Sequence, residues 1–379
     1  MDSEQIFFLK TLSDYIHQRK TSIPDRIDLK HLDFYASEHQ VGPIFFKQTK
    51  LDIFRHAFFQ QINLQMHQTW VMEELNRLMD GIPYFTLKGI QIAKYYPNPE
   101  LRIMSDLDYV VHPEDKDEIC DRLIKWGAEL QKKSEGEWIF SKDAILIELH
   151  SALVYDYSQA TTNIKQREFF NSCWDYYKNG KIDFNFHMLF LFMHLRKHIM
   201  ETGVGFRQFM DIAILTENAH IDWDWVRTKA EELDLFPFIK TAMSMIEKWF
   251  DVKSPFENAT IRESFFESAT QHIFDDGAFG FDNIANRNNR AINEKKRREN
   301  RLYGAKYFCE QFFWPYENLI SMPEYKWLKN KKWLLPIAWG YRSIRKWKNK
   351  DVLIMRYFAT DKAVRKRYEY LDQWNIRNN

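Results

Sequence analysis

The run Arg102-Ile103-Met104-Ser105-Asp106-Leu107-Asp108-Tyr109-Val110-Val111 sets two carboxylates two residues apart at the head of an apolar, β-branched stretch. A strand alternates its faces with period two, so Asp106 and Asp108 point one way while Leu107, Tyr109 and Val111 point the other. Two carboxylates side by side repel unless something positive sits between them. A hard divalent cation meets that need, and Mg²⁺ binds through one or two carboxylates together with substrate phosphates.

A second strand pattern follows. In Ile145-Leu146-Ile147-Glu148-Leu149-His150, Glu148 shares a face with Leu146 and His150, while Ile147 and Leu149 face opposite. A carboxylate flanked by apolar residues costs several kcal/mol to bury unless it is paired or metal-bound. Placed beside the Asp106/Asp108 strand, Glu148 would make a third converging acid. Three such acids suit phosphoryl chemistry on paired cations about 3.5–4 Å apart.

Around these strands the chain divides into four regions. Residues 1–80 read as helical: the segment from Leu51 through Trp70, Met72 and Leu78 repeats apolar residues at three- and four-residue spacing, with no Gly or Pro until Gly81. Residues 81–160 read as a small mixed α/β unit. Gly81-Ile82-Pro83 breaks the helix, residues 84–87 form a short strand, and Lys88-Gly89 opens a helix ended by Pro97 and Pro99. After the diacid strand, His112-Pro113-Glu114-Asp115 turns into an amphipathic helix burying Ile119, Leu123 and Trp126. Residues 138–140 and 144–150 form two strands of a hairpin. Residues 161–280 are a further helical region, with helical spacing over 186–199, 206–215 and 223–233.

Residues 281–379 are a basic, aromatic-rich helical region. The formal net charge of +1 hides an asymmetry, because residues 286–379 hold 23 Lys and Arg against 9 Asp and Glu. Such a balance points to an anionic partner or membrane surface, or to attraction between opposite charges within one fold. Residues 283–301 read as a solvated helix face or mobile loop. The stripe Leu334, Ile337, Ala338, Tyr341 and Ile344, beside Arg342, Arg345, Lys346 and Lys348, reads as a docked helix with a solvated basic face; contact with an anionic membrane or nucleic acid is the alternative.

The 379 residues suffice for two or three domains, and 31 Phe with 13 Trp argue for packing rather than disorder. Cys120, Cys173 and Cys309 are odd in number and far apart. They support neither a disulfide framework nor a zinc cluster, so a reducing cytoplasm is expected. No signal peptide and no 18-residue uncharged stretch is seen, so no transmembrane segment is expected. His194 and His198 lie four apart with His187 one heptad earlier. Their His-x-x-x-His lacks the Glu of a zinc protease, and lining of a substrate cleft is the better reading than zinc. Arg207 and Asp211 make an i,i+4 pair.

The order Leu87-Lys88-Gly89, then Arg102-x-x-Ser105-Asp106-x-Asp108, then Ile147-Glu148-Leu149-His150 resembles the uncharacterised bacterial nucleotidyltransferase family of the DNA polymerase β superfamily. The likeness extends to the helical lead-in before Leu87, to Arg207-Gln208-Phe209-Met210-Asp211, to Asp222-Trp223, and to the Phe-Trp-Pro and Leu-Leu-Pro segments of the tail. It implies an α+β fold, with a small mixed-sheet nucleotidyltransferase core flanked by N-terminal and C-terminal helical regions. It also implies that Asp106 and Asp108 hold two Mg²⁺ ions, and that Glu148 completes one metal site and takes the acceptor's proton. Lys88, Gly89, Arg102 and Ser105 would bind the nucleotide, with Arg102 clamping a phosphate bidentately. His150, Arg207 and Asp211 would line the substrate cleft.

The implied reaction is in-line attack of an acceptor on the α-phosphorus of a nucleoside triphosphate such as ATP, releasing pyrophosphate. The acceptor expected is a small molecule or surface-sugar precursor. The alternatives are a toxin-like enzyme acting on RNA or protein, and a non-catalytic nucleotide-binding scaffold. One departure stands out: Lys88-Gly89 replaces the Gly-Ser or Gly-Gly pair of most superfamily members. Gly89 still lets a phosphate approach the backbone closely, and Lys88 adds a mobile cation able to meet a triphosphate.

Overall fold

A computed structural model describes residues 1–134, 136–154, 163–201, 203–277, 316, 319, 323–329, 331–347 and 370–376. Those up to 277, together with 371–376, form one compact unit, and the others belong to a second.

The first unit opens with helices α1 (Ser3–Ile16), α2 (Leu29–Glu38), α3 (Gly42–Thr49) and the long α4 (Arg55–Leu78). Local chemistry sets their starts. Asp2 accepts from the Gln5 amide while the Gln5 side chain accepts from Asp2 N–H, a capping box, and Asp28 caps α2 in the simpler way. The sheet section follows as β1 (Tyr84–Thr86), α5 (Gly89–Ile92), β2 (Asp106–Val111), α6 (Lys116–Lys125), β3 (Glu129–Lys133), β4 (Glu137–Lys142) and β5 (Ile145–His150). Then come α7 (Ile164–Asn171), a hairpin of β6 (Tyr177–Lys178) and β7 (Lys181–Ile182), and helices α8 (Phe184–Glu201), α9 (Phe206–Asn218), α10 (Trp223–Glu232), α11 (Phe236–Phe250) and α12 (Glu263–Asp276). The protein is α+β.

The five-stranded sheet has the order β1-β2-β5-β4-β3, with β2 and β5 parallel and every other pair antiparallel. Parallel neighbours need a long crossover. Here it is α6 and the β3–β4 hairpin, which bring the chain back as β5 beside β2. Alternation then does what the sequence implies. Leu107, Tyr109 and Val111 of β2 and Ile145, Ile147 and Leu149 of β5 are all buried in one core with Val71 and Leu75 of α4 and Ile119 and Leu123 of α6. The other face of the same two strands is left to carry Asp106, Asp108, Glu148 and His150.

Two parts of this layout carry no apolar pattern in the sequence. All five residues of β3 are exposed, so it has no alternation to read; backbone pairing with β4 holds it, joined by Lys132 on Glu137 and Lys133 over the Trp138 ring. The β6–β7 hairpin turns at Asn179-Gly180, both with positive φ (52° and 79°), as a type I′ turn requires. The helical regions on either side of the sheet fold around one another rather than standing apart. Helix α1 packs on α9 and α11, and Ser13 Oγ donates to the Phe250 carbonyl at 2.8 Å.

In the second unit, α13 (Leu335–Trp347) follows a 3₁₀ turn at Lys332–Leu334. Its expected single apolar face is split. Ala338 is buried with Leu319, Tyr325 and Leu328, whereas Ile337 and Tyr341 are 60% and 48% exposed. The basic side chains expected beside that stripe and the side chain of Ile344, together with residues 283–301 and Cys309, lie outside the described residues. Cys120 and Cys173 are buried free thiols. Among the described residues, no helix is long and apolar enough to cross a membrane.

Candidate active site

Register places Asp108 of β2 directly opposite Glu148 of β5, with Val110 opposite His150 and Asp106 opposite Leu146. Asp108 is 1% exposed at its side chain and Glu148 is 18% exposed. The imidazole of His150 donates from Nε2 to Asp108 Oδ1 at 2.9 Å and lies 3.5 Å from Glu148 Oε2. Asp108, Glu148 and His150 each bring one ligand atom within 4.8 Å of the others, a set able to hold a metal ion.

A second cation enters from the end of β1. Lys88 Nζ donates to Asp108 Oδ1 at 2.7 Å and stands 4.0 Å from Glu148 Oε2. The charges then sort themselves. Burial alone would raise the Asp108 carboxyl, but Lys88 and the His150 hydrogen bond hold it well below the usual carboxylate range. Burial, joined by the charge of Asp108, pushes Asp106 up to about 6. Burial disfavours charge on His150, yet its hydrogen bonds to Asp108 and Glu148 prevail and carry it up to about 9. For Lys88, the three acids outweigh burial and hold it firmly protonated.

Lys88 reaches this position through an unusual backbone. Its φ of 48° and ψ of −122° are those of the first central residue of a type II′ turn, where glycine is the residue without steric cost. Hydrogen bonds hold the turn: its N–H donates to His187 Nε2 at 3.0 Å, and its carbonyl accepts from Gln91 N and Ile92 N. His187, on α8, is fully buried, which pushes it down to about 3. A neutral imidazole accepting at Nε2 carries its proton on Nδ1, and that nitrogen has no partner among the described residues.

Gly89 comes next and is packed from outside. A Cβ there would collide with the Arg102 guanidinium and the Met104 side chain. Arg102 cannot withdraw, because Nε and Nη2 grip the two Asp211 oxygens at 3.2 and 2.7 Å while Nη1 donates to the Ile103 carbonyl. Tyr96 OH donates to the same Asp211 at 2.6 Å. Helix α4 steadies the approach to β2, with Gln61 donating to the Glu100 carbonyl and Gln68 to the Met104 carbonyl, both at 2.9 Å.

The structure therefore brings Asp106, Asp108, Glu148, His150 and Lys88 together on one sheet face, with Gly89 just behind. Arg102 is directed elsewhere: the fork expected to clamp a phosphate is committed to Asp211. Asp211 takes Arg102 and Tyr96 rather than the i,i+4 partner Arg207. Arg207 instead donates from Nη1 to the Ile103 carbonyl at 2.7 Å, and its charge reaches Asp106. Burial and the neighbouring Arg102 press the Arg207 pKa down. Ser105 Oγ accepts from Gln40 Nε2 at 3.4 Å. His194 and His198 share a hydrogen bond between their Nε2 atoms (3.3 Å), half-buried within the electrostatic reach of Lys88. His187 stands out in the sequence only by its spacing from His194 and His198, whereas its part here depends on a backbone contact 99 positions away that spacing does not show.

Residues 28–251, more than half of the chain, match the uncharacterised nucleotidyltransferase family. No curated protein and no solved structure matches. The matched span holds the diacid strand, Glu148, Lys88, His187 and Arg207, and the chain belongs to the uncharacterised nucleotidyltransferase family.

Proposed function

We propose that this protein is a divalent-metal-dependent nucleotidyltransferase of the DNA polymerase β-like kind, transferring a nucleoside monophosphate from a triphosphate to an acceptor hydroxyl. The observation that carries the reading is the parallel β2–β5 register, which sets Asp108 opposite Glu148 with Asp106 two residues away on the same face. The donor set fits a hard cation. Asp106, Asp108 and Glu148 offer carboxylate oxygens, while His150 uses its Nε2–H to donate to Asp108 rather than as a lone pair. These three acids would hold the Mg²⁺ ions, which when bound supply charge neutralisation at the attacking and leaving oxygens.

The chain's own groups account for the rest. Lys88 supplies a mobile ammonium for the triphosphate, and Arg207 sets a cation on the Asp106 side of the cleft. Glu148, the more exposed of the two facing acids, takes the proton as the acceptor oxygen bonds to the α-phosphorus. The bond from that phosphorus to the β-bridging oxygen then breaks, and pyrophosphate leaves with the bonding pair. The half-buried His194 and His198 line the acceptor side. A small hydroxylated molecule or surface-sugar precursor is the acceptor class proposed.

The test is a thermal-shift series with Mg²⁺ and each common nucleoside triphosphate, followed by a pyrophosphate-release assay. Stabilisation of the wild type, lost in the double variant Asp106→Asn/Asp108→Asn, is expected. No stabilisation by any triphosphate with Mg²⁺ or Mn²⁺ would refute the reading.

A further inference from the structure

A lysine in a glycine-favouring conformation is there for its side chain. At position 88 an unstrained turn would use glycine, yet the chain keeps φ at 48° with a lysine whose Nζ lands on Asp108 Oδ1. The neutral His187 ring, accepting the Lys88 N–H, pins that backbone from α8. The ammonium thus shares Asp108 Oδ1 with the His150 Nε2–H and stands 4.0 Å from Glu148 Oε2, so it lies between the two facing acids, and a divalent cation entering there would meet strong repulsion.

We propose that Lys88 is an internal counter-ion that holds Asp108 in the free protein and makes divalent-cation loading depend on a polyphosphate. This rests on the nucleotidyltransferase reading of the same site. The lysine stem is flexible beyond its fixed backbone, so Nζ can swing from Asp108 to a phosphate oxygen without unlocking the turn. A polyphosphate draws the ammonium away and offers its own oxygens to the cation. Cation and polyphosphate then bind with positive coupling, each raising the affinity of the other by the same factor. No bond is made or broken in this exchange. The free protein keeps its acids neutralised without metal, and loading waits for the substrate that will be cleaved.

The experiment measures Mn²⁺ binding to the intact protein by calorimetry, without nucleotide, for wild type, Lys88→Met and Lys88→Gly. Inorganic tripolyphosphate serves as the base-free polyphosphate probe. Lys88→Met is expected to bind Mn²⁺ alone about tenfold more tightly than wild type, and tripolyphosphate alone about tenfold more weakly. Lys88→Gly should match it on both counts while relaxing the strained turn, which covers the case in which Lys88→Met folds poorly. Equal or weaker Mn²⁺ binding in the variants would overturn the proposal and leave Lys88 a structural partner of Asp108. Absence of Mn²⁺ binding in all three proteins, with and without tripolyphosphate, would instead remove the metal-dependent reading on which the proposal stands.

Discussion

Arg102 and Asp211, 109 residues apart, close a bidentate ion pair in which both side chains are more than 90% buried. The pair joins the loop before β2 to α9 and backs the wall on which Gly89 rests. Removing one partner of a buried pair leaves an uncompensated charge, which costs about 3–5 kcal/mol. Asp211→Ala should therefore lower unfolding stability by about that amount in urea denaturation. Because well-packed apolar groups can replace such a pair at little cost, Arg102→Met combined with Asp211→Leu should recover much of the loss. A double variant no more stable than Asp211→Ala would show that the geometry, rather than the stranded charge, governs this wall.

Asp106 predicts a trade of stability against function. Burial and the charge of Asp108 raise its pKa to about 6, above the value of about 4 for an unfolded chain. A group raised in the folded state contributes stability that is fully present below the unfolded pKa and is lost as pH rises through the folded one. At pH 7–8 the ionised carboxylate is therefore a cost. Asp106→Asn should raise stability there by up to about 3 kcal/mol, since each pKa unit is about 1.4 kcal/mol. The gain should shrink as pH falls through 6 and vanish near 4, while the activity proposed for the site is lost at every pH. Melting temperatures of both proteins across that range check the sign.

His39 makes the opposite pH case, away from the acids. It is fully buried among Phe8, Phe206 and Phe274, with ring centroids 5.0–5.5 Å away, and burial pushes it down to about 3. The unfolded chain takes up a proton near pH 6.5 that the folded site refuses. Stability from this residue is intact above about 6.5 and falls at about 1.4 kcal/mol per pH unit below it. His39→Leu should flatten the pH dependence of unfolding between 6 and 4 by roughly that slope. An unchanged slope would place the acid sensitivity at other groups.

Period-two alternation makes the site's two strands legible from the sequence alone. Leu107, Tyr109 and Val111 against Asp106 and Asp108, and Ile147 and Leu149 against Glu148 and His150, are satisfied by a core on one face and a polar cleft on the other. The parallel adjacency of β2 and β5 is written in neither strand, because α6, β3 and β4 intervene between them along the chain. Long-range pairing also redirects the cations. Nothing local to Arg102 announces Asp211, and nothing near Lys88 announces that His187 holds its amide. A polar, wholly exposed strand such as β3 leaves no apolar pattern, since its pairing is carried by backbone groups that every residue has and by lysine contacts that no alternation marks.

Gly89 joins these threads in a last prediction. An alanine there would drive its Cβ into the Arg102 guanidinium and Met104 Cγ, the latter at 2.7 Å. Met104 can shift, being flexible, but Arg102 is fixed by two hydrogen bonds to Asp211 and one to Ile103. The strain must therefore pass to the backbone of residues 88–89, where His187 already holds Lys88 at positive φ. Gly89→Ala should cost about 1–3 kcal/mol, in the range of overpacked interiors. Displacing the turn should also carry Lys88 Nζ off Asp108. Added to the Arg102→Met/Asp211→Leu background, where the obstructing guanidinium is gone and no charge is stranded, Gly89→Ala should then cost less than it does in wild type. A Gly89→Ala protein as stable as wild type would mean that the Arg102–Asp211 wall yields more readily than its hydrogen bonds imply.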